Sequence, residues 1–252
     1  MSAGPLISVV SASYNALEGL KATARSVAGQ TYGDVEHIVV DGGSSDGTVD
    51  FLQSLGDRVR WVSEPDEGIG DALNKGVAMA RGEYVLVLQA EDYFVDAGSL
   101  AACARHLGGH DLVSFGVQVE SGAGRTYVES RGAGWRSYLH MTMPHQGLFS
   151  RRQLFQEIGL FDTSYRIAMD YDWLLRARNH GATALAVKEA HTVMPATGIS
   201  SRTDWPGMEA RLLEFRRTQL AHAASSRGRT ALRGWWSLYL PFKRLKLAAS
   251  GR

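Results

Sequence analysis

Four short apolar runs, each ending in polar residues, are separated by segments with helical periodicity, and this rhythm restricts the chain to an α/β fold. "LISVVSAS" (6–13) leads into "LEGLKATARSVAGQ" (17–30), and "VEHIVVDGG" (35–43) into "SDGTVDFLQSLG" (45–56), which opens with a capping pattern. "VRWVSE" (59–64) leads into "GIGDALNKGVAMARG" (68–82), and "EYVLVLQAED" (83–92) reads as the fourth strand. Strands alternating with helices in this way predict a mostly parallel sheet covered on both faces. Ligands bind such sheets beyond the carboxyl ends of the strands. Those ends carry Ser13, Tyr14 and Asn15, then Asp41, then Glu64 and Asp66, then Glu91 and Asp92.

The rhythm changes after about residue 110. "LVSFGVQVE" and "GRTYVESRG" flank a glycine-containing turn and read as a hairpin. "SRRQLFQEIGLFD" and "MDYDWLLRARNHG" read as short helices, "TALAVKEAHTVMPA" as a strand, and residues 206–224 as a longer amphipathic helix. The 252 residues suffice for one large domain with an appendage. The lone Cys103 excludes an internal disulfide and fits a reducing compartment as a small core residue. The first residues lack the basic stretch of a signal peptide, and no run of apolar residues is long enough to span a bilayer.

A formal net charge of +1 hides an asymmetry. The last acidic residue is Glu214, and the 38 residues after it carry nine Lys or Arg and no Asp or Glu. The preceding body therefore holds 18 basic against 26 acidic side chains. That acidity argues against nucleic acid as a partner. The tail mixes Trp235, Trp236, Tyr239 and Phe242 with Arg233, Lys243, Arg244 and Lys246, a combination suited to an anionic membrane surface; packing against the acidic body is the alternative. Pro241 predicts that the tail is not one unbroken helix.

The strand-end residues suggest a nucleotide-diphosphate site. Asp41 could accept a hydrogen bond from a base N–H, and Tyr14 could stack on the base. Two adjacent carboxylates, Glu91 and Asp92, repel unless something positive lies beside them, and a divalent cation on a diphosphate would serve. There is no G-x-G-x-x-G after the first strand and no Walker sequence. Downstream, Asp170 and Asp172 open a helical pattern; two apart, they cannot share a face. Asp172 has Arg176 four residues on, a surface pair, which leaves Asp170 as either the N-cap or a free base.

"SVVSASYN", "HIVVDGGSSDGT", "SEPDEGIGDALNKG", "GEYVLVLQAEDYF", "MPHQGLFSRRQLFQEIGLFD" and "AMDYDWLLR", in this order over roughly residues 6–200, resemble the family 2 glycosyltransferases. The resemblance is to the bacterial branch that builds capsular and other envelope glycans. It implies a GT-A fold: a Rossmann-like sheet flanked by helices, a smaller mixed acceptor-side region, and here a helical basic tail. It divides the chain into a domain over residues 1–225, with a nucleotide-sugar half (1–110) and an acceptor half (111–225), and a tail over 226–252. It implies an inverting transfer from a nucleoside diphosphate sugar to a hydroxyl of a glycan or lipid-linked acceptor, with a divalent metal, Mn²⁺ or Mg²⁺.

Carried over position by position, the resemblance puts Ala12, Tyr14 and Asp41 at the base and ribose, and Asp71 and Asn74 near the nucleotide. It makes Asp170 the catalytic base, puts His145 and Gln146 on the acceptor or diphosphate side, and gives Glu91 and Asp92 to the metal. Asp71 also precedes Lys75 by four, so a helix salt bridge is its plain alternative. The chain departs from the family at Gln89-Ala90-Glu91-Asp92, where the resemblance implies Asp or Asn, any residue, Asp, and often a further Asp. Either Glu91 reaches the ion, or Asp92 substitutes, or metal binding is weak. A nucleotidyltransferase would need a basic, glycine-rich loop where "SASYNALEG" stands. A non-catalytic nucleotide-sugar or glycan binder is the remaining alternative. The expected location is cytoplasmic, on the inner face of the membrane.

Overall fold

A computed structural model describes residues 6–249; the first five residues and the last three, Arg252 of the basic tail among them, lie outside the described residues. In the first half β1 (Ile7–Ser13), α1 (Leu17–Ala28), β2 (Val35–Asp41), α2 (Thr48–Leu55), β3 (Arg60–Ser63), α3 (Ile69–Met79) and β4 (Tyr84–Val87) alternate as the sequence predicts. β1 is buried along its whole length because it lies at the centre, parallel to β2 on one side and β4 on the other. α1 buries Leu20, Thr23, Ala24 and Val27, the i, i+3, i+4, i+7 face that such a sheet requires. α3 approaches β1 closely at Gly76, where a β-carbon would sit 2.3 Å from Val10 Cγ1.

The second half comprises β5 (Tyr93–Phe94), α4 (Ser99–Ala104), β6 (Leu112–Ser121), β7 (Gly124–Val128), β8 (Leu148–Arg151), α5 (Arg152–Ile158), α6 (Met169–His180), β9 (Ala184–Pro195), α7 (Trp205–Ala221) and α8 (Ser226–Ala249). All strands join one sheet of order β3-β2-β1-β4-β8-β6-β9-β5, with β7 paired to β6. The half nearest β3 is parallel; β8 turns antiparallel against β4 and introduces the mixed half. β6 and β7 form the expected hairpin around Gly122 and Ala123.

Three expectations need correction. The fourth strand ends at Val87, not at the acidic pair; a turn follows, and Glu91 adopts a left-handed backbone at φ +86°. Asp172 and Arg176 do pair, at 2.9 Å, but not on the surface: Asp172 is buried and also meets His222 Nε2 at 2.9 Å, tying α6 to the end of α7. The tail is a single helix that passes through Pro241. Proline removes one helical hydrogen bond, that to the Ser237 carbonyl, and both residues are exposed, so the loss is not a buried one. The tail also partly packs on the body, through Trp236, which is buried and donates Nε1–H to Gln219 Oε1 at 2.8 Å. No helix among the described residues is long and apolar enough to cross a membrane.

Candidate active site

The loops after β1, β2 and β3 are stitched together by their own polar groups. Asp41 is fully buried. Its Oδ2 accepts from Ser63 Oγ at 2.6 Å and from the amides of Ser44 and Gly43 at 2.9 and 3.2 Å, and Oδ1 accepts from Ser44 Oγ. A carboxylate offers about four acceptor positions, so these donors nearly saturate it. Asn15, in the left-handed region at φ +47°, locks the first loop to the second: its Oδ1 accepts from Ser45 N, and its N–H donates to Ser44 Oγ. Asp46 Oδ2 accepts from Leu17 N at the start of α1.

This interlock leaves Tyr14 66% exposed, with its ring 3.3 Å from where a β-carbon on Gly42 would lie. The same β-carbon would be 2.5 Å from Asp66 Oδ2, so Gly42 keeps open a slot between an aromatic face and a carboxylate. Ala12 is buried at the tip of β1, where its carbonyl accepts from Ala90 N. Asp71 forms the plain helix pair: its Oδ2 is 3.1 Å from Lys75 Nζ, and the hydrogen bond to that ammonium holds its carboxyl below the usual range. Asn74 turns instead to the chain before α6, donating to Phe161 O and accepting from Phe161 N, both at 2.9 Å. Sequence reasoning missed Ser44 and Ser63; hydroxyls carry no pattern that marks them as partners of a carboxylate on another strand.

A separate cavity gathers the other predicted residues. Gln89, Glu91, Asp92, His145, Gln146 and Asp170 all line it, over an apolar wall that includes Val87, Leu148, Phe155 and Trp173. Ala12, Tyr14, Asp41, Asp71 and Asn74 do not. Asp170 lies in the first turn of α6, whose N-cap is Ala168, so the capping reading of Asp170 fails. The amides that precede this helix are held instead by Glu214 of α7, whose carboxylate accepts from Arg166, Ile167 and Ala168 at 3.0, 2.8 and 2.8 Å. Nothing in the local sequence of "LLEFRR" signals that role; it depends on a partner 46 or more positions away.

Asp170 Oδ1 accepts from Tyr171 N at 2.7 Å, and Oδ2 lies 3.1 Å from His145 Nδ1. The two side chains are 27% and 24% exposed, enough to meet a ligand in the cavity. His145 Nε2 faces the Gln89 amide nitrogen at 3.4 Å, so the neutral, Nδ1-protonated tautomer satisfies both contacts. Burial alone would lower the His145 pKa; the hydrogen bond and charge of Asp170, with the charge of Asp92, outweigh it and raise it. Asp92 is buried, and desolvation pushes its carboxyl up to about 7 against the opposing pull of His145 and the Gln89 amide, which donates to Oδ2 at 3.2 Å. Glu91 stands at the lip, where Oε2 accepts from Thr197 Oγ1 at 3.0 Å.

The donor set fits a divalent cation that is completed by substrate. Among the described residues no group of three or more His, Cys, Asp or Glu converges as a metal cage. Mg²⁺ and related ions need no such cage: one or two carboxylates, waters and substrate phosphates suffice. Glu91 and Asp92 supply two carboxylates on one cavity.

Comparison with known proteins gives a consistent family. The family model described as Glycosyl transferase family 2 matches residues 8–181. The chain is 34% identical over 206 residues to a PGL/p-HBAD biosynthesis glycosyltransferase of Mycobacterium bovis, covering 76% of each chain. It superposes on the mannosyltransferase PcManGT from Pyrobaculum calidifontis, solved in complex with GDP-Man and Mn²⁺, with a TM-score of 0.69 at 19% identity, over 98% of this chain and 74% of that one. It also matches S. aureus TarS with a TM-score of 0.68 at 18% identity, spanning 90% of this chain and only 41% of TarS. At these identities the two solved structures establish a shared GT-A fold.

Proposed function

The chain belongs to glycosyl transferase family 2, and from that premise we propose that it moves a sugar from a nucleoside diphosphate donor to a hydroxyl of a glycan or lipid-linked acceptor, with inversion at the anomeric carbon. The setting we propose is bacterial envelope polysaccharide or glycolipid synthesis, on the cytoplasmic side of the membrane. Residues 1–110 serve the donor, residues 111–225 the acceptor, and residues 226–252 form an appended tail.

The observation that carries this reading is the convergence of Asp170, His145, Asp92 and Glu91 on one cavity although they derive from separate halves of the chain. Inversion at one carbon needs a base on one side and a stabilised leaving group on the other. Asp170 is the base. It accepts the proton of the acceptor hydroxyl as the oxygen attacks the anomeric carbon. The bond from that carbon to the diphosphate oxygen breaks, and the electron pair leaves with the diphosphate. His145 holds Oδ2 of Asp170 and the Tyr171 amide holds Oδ1, which fixes the carboxylate and leaves each oxygen a further acceptor position.

Glu91 and Asp92 would hold Mn²⁺ or Mg²⁺, which supplies positive charge to the diphosphate when bound. Tyr14 stacks on the base in the slot kept open by Gly42, with Ala12 beneath. Asp41 shapes that slot through its hydrogen bonds to Ser44 and Ser63, and reaches a base only if one of those donors is exchanged. Asp71 and Asn74 act indirectly: Asp71 pairs with Lys75 within α3, and Asn74 fixes α3 to the backbone of Phe161.

A panel of nucleoside diphosphate sugars, offered to the purified chain with and without Mn²⁺ and an acceptor, tests the proposal. One donor is expected to bind more tightly with Mn²⁺ and to be consumed. Binding of glycan without any donor binding would instead support a non-catalytic relative.

A further inference from the structure

The C-terminal helix carries two adjoining faces. One face, built from Leu232, Trp236, Tyr239 and Lys243, turns toward the body; Trp236 is buried against α7 and bonded to Gln219. The other exposes Trp235, Leu238, Phe242 and Leu245, the last three at 76%, 57% and 71%. Their spacing of three, four and three residues puts them on a single helical stripe. An apolar stripe of this size on a soluble surface calls for an occupant.

Charge decides which occupant. From residue 215 onward the described chain has Lys and Arg but no Asp or Glu. Among the described residues no ion pair joins a cation of this helix to a carboxylate of the body, although the body is acidic. Lys243 and Arg244 lie over the rings of Tyr239 and Trp205 instead, and Lys246 is exposed beside the apolar stripe. A second copy of the same helix would bring like charges together. An anionic lipid surface offers both what the stripe needs and what the cations need. The helix is not apolar enough to cross a bilayer, so it would lie in the interface.

We propose that α8 is an interfacial membrane anchor, docking the protein on anionic lipid through Trp235, Leu238, Phe242 and Leu245 with Lys246 at the headgroups. The anchor deepens the lipid-linked acceptor reading and rests on that reading only for its purpose, because lipid binding can be read without any transfer. Sedimentation of the full chain with vesicles provides the test, comparing phosphatidylcholine alone with a phosphatidylcholine–phosphatidylglycerol mixture at low and high salt. Binding is expected only to the mixed vesicles and is expected to weaken as salt rises.

Leu238→Glu combined with Leu245→Glu should lower partitioning by at least about a hundredfold, since two exposed side chains stop inserting and two anions are added. Both sites are exposed, so the circular dichroism spectrum and melting temperature should stay those of the parent. Equal binding to neutral and mixed vesicles, no vesicle binding at all, or unchanged binding by the double variant would each overturn the proposal. A dimer in solution that the double variant dissolves, without vesicle binding, would overturn it in favour of a second copy. If transfer fails in every donor assay while vesicle binding follows the expected pattern, the enzymatic reading falls and the anchor stands.

Discussion

His145 Nδ1 lies 3.1 Å from Asp170 Oδ2, and this contact joins the turn before β8 to the first turn of α6. It fixes the orientation of Asp170, the carboxylate proposed as the base. His145→Ala is expected to lower kcat by about ten- to a hundredfold, because a loosened base loses its alignment. The donor KM should change little. Steady-state kinetics check both; an unchanged kcat would mean that the contact is only structural.

Protonation adds a pH signature to this pair. The folded-state pKa of His145 is raised above 6.5, so its contribution to stability is complete below 6.5 and is lost as pH rises through the higher folded value. Asp92 works in the same direction for a different reason. Its folded-state carboxyl, at about 7, keeps a proton that the unfolded chain releases near 3.8. The folded state thus binds more protons between roughly pH 4 and 7, and stability falls across that window as pH rises. Asp92→Asn cannot ionise, so it should stabilise the donor-free protein at pH 8 by on the order of 1–3 kcal/mol and much less at pH 5. Urea denaturation at the two pH values measures this; a variant destabilised equally at both would refute the buried-proton account.

The same proton competes with a metal ion. A cation on Glu91 and Asp92 requires both as carboxylates, so Mn²⁺-dependent donor binding should strengthen from pH 6 to pH 8 and then level off. Glu91→Gln should weaken the Mn²⁺ effect on donor affinity by about tenfold or more. Calorimetric titration of donor with and without Mn²⁺ across this range provides the check. A Mn²⁺ effect that ignores both pH and Glu91 would place the ion elsewhere.

Glu214 accepts three amides at the entrance to α6, and no other described side chain is seen to do this. Glu214→Ala leaves those N–H groups without their acceptor and should cost about 1–3 kcal/mol. A fall in kcat should accompany it, since Asp170 begins two residues after the last of these amides. Thermal melts and transfer rates on the same preparations test the pairing of the two effects; a loss of stability with full kcat would separate the cap from the base.

The parallel half of the fold was legible because its inner strands β1, β2 and β4 are largely buried and read as short apolar-rich runs between helical segments. Asp170 and His145, singled out by motif position, line one cavity, and the Asp71–Lys75 pair was legible through helix spacing alone. What escaped depends on long sequence separations. Asp172 was read as a surface residue because its second partner, His222, is 50 positions away. The pairing of the Asn74 amide with the backbone of Phe161, 87 positions on, has no local signal either. The turn after β4 is held from α1 by Thr23 Oγ1, which donates to the carbonyl of Asp92, a contact no local pattern announces. Pro241 misled in the other direction: its cost falls on an exposed turn, where it is small enough for the helix to continue.

The most direct measurement is the transfer rate of Asp170→Asn beside its donor affinity. The substitution keeps the size of the side chain and removes the base. Transfer should fall by about a thousandfold, within the range that general bases contribute, while calorimetric donor affinity stays near that of the parent. Transfer at the parental rate, with donor binding intact, would contradict the assignment of Asp170 as the group that takes the acceptor's proton.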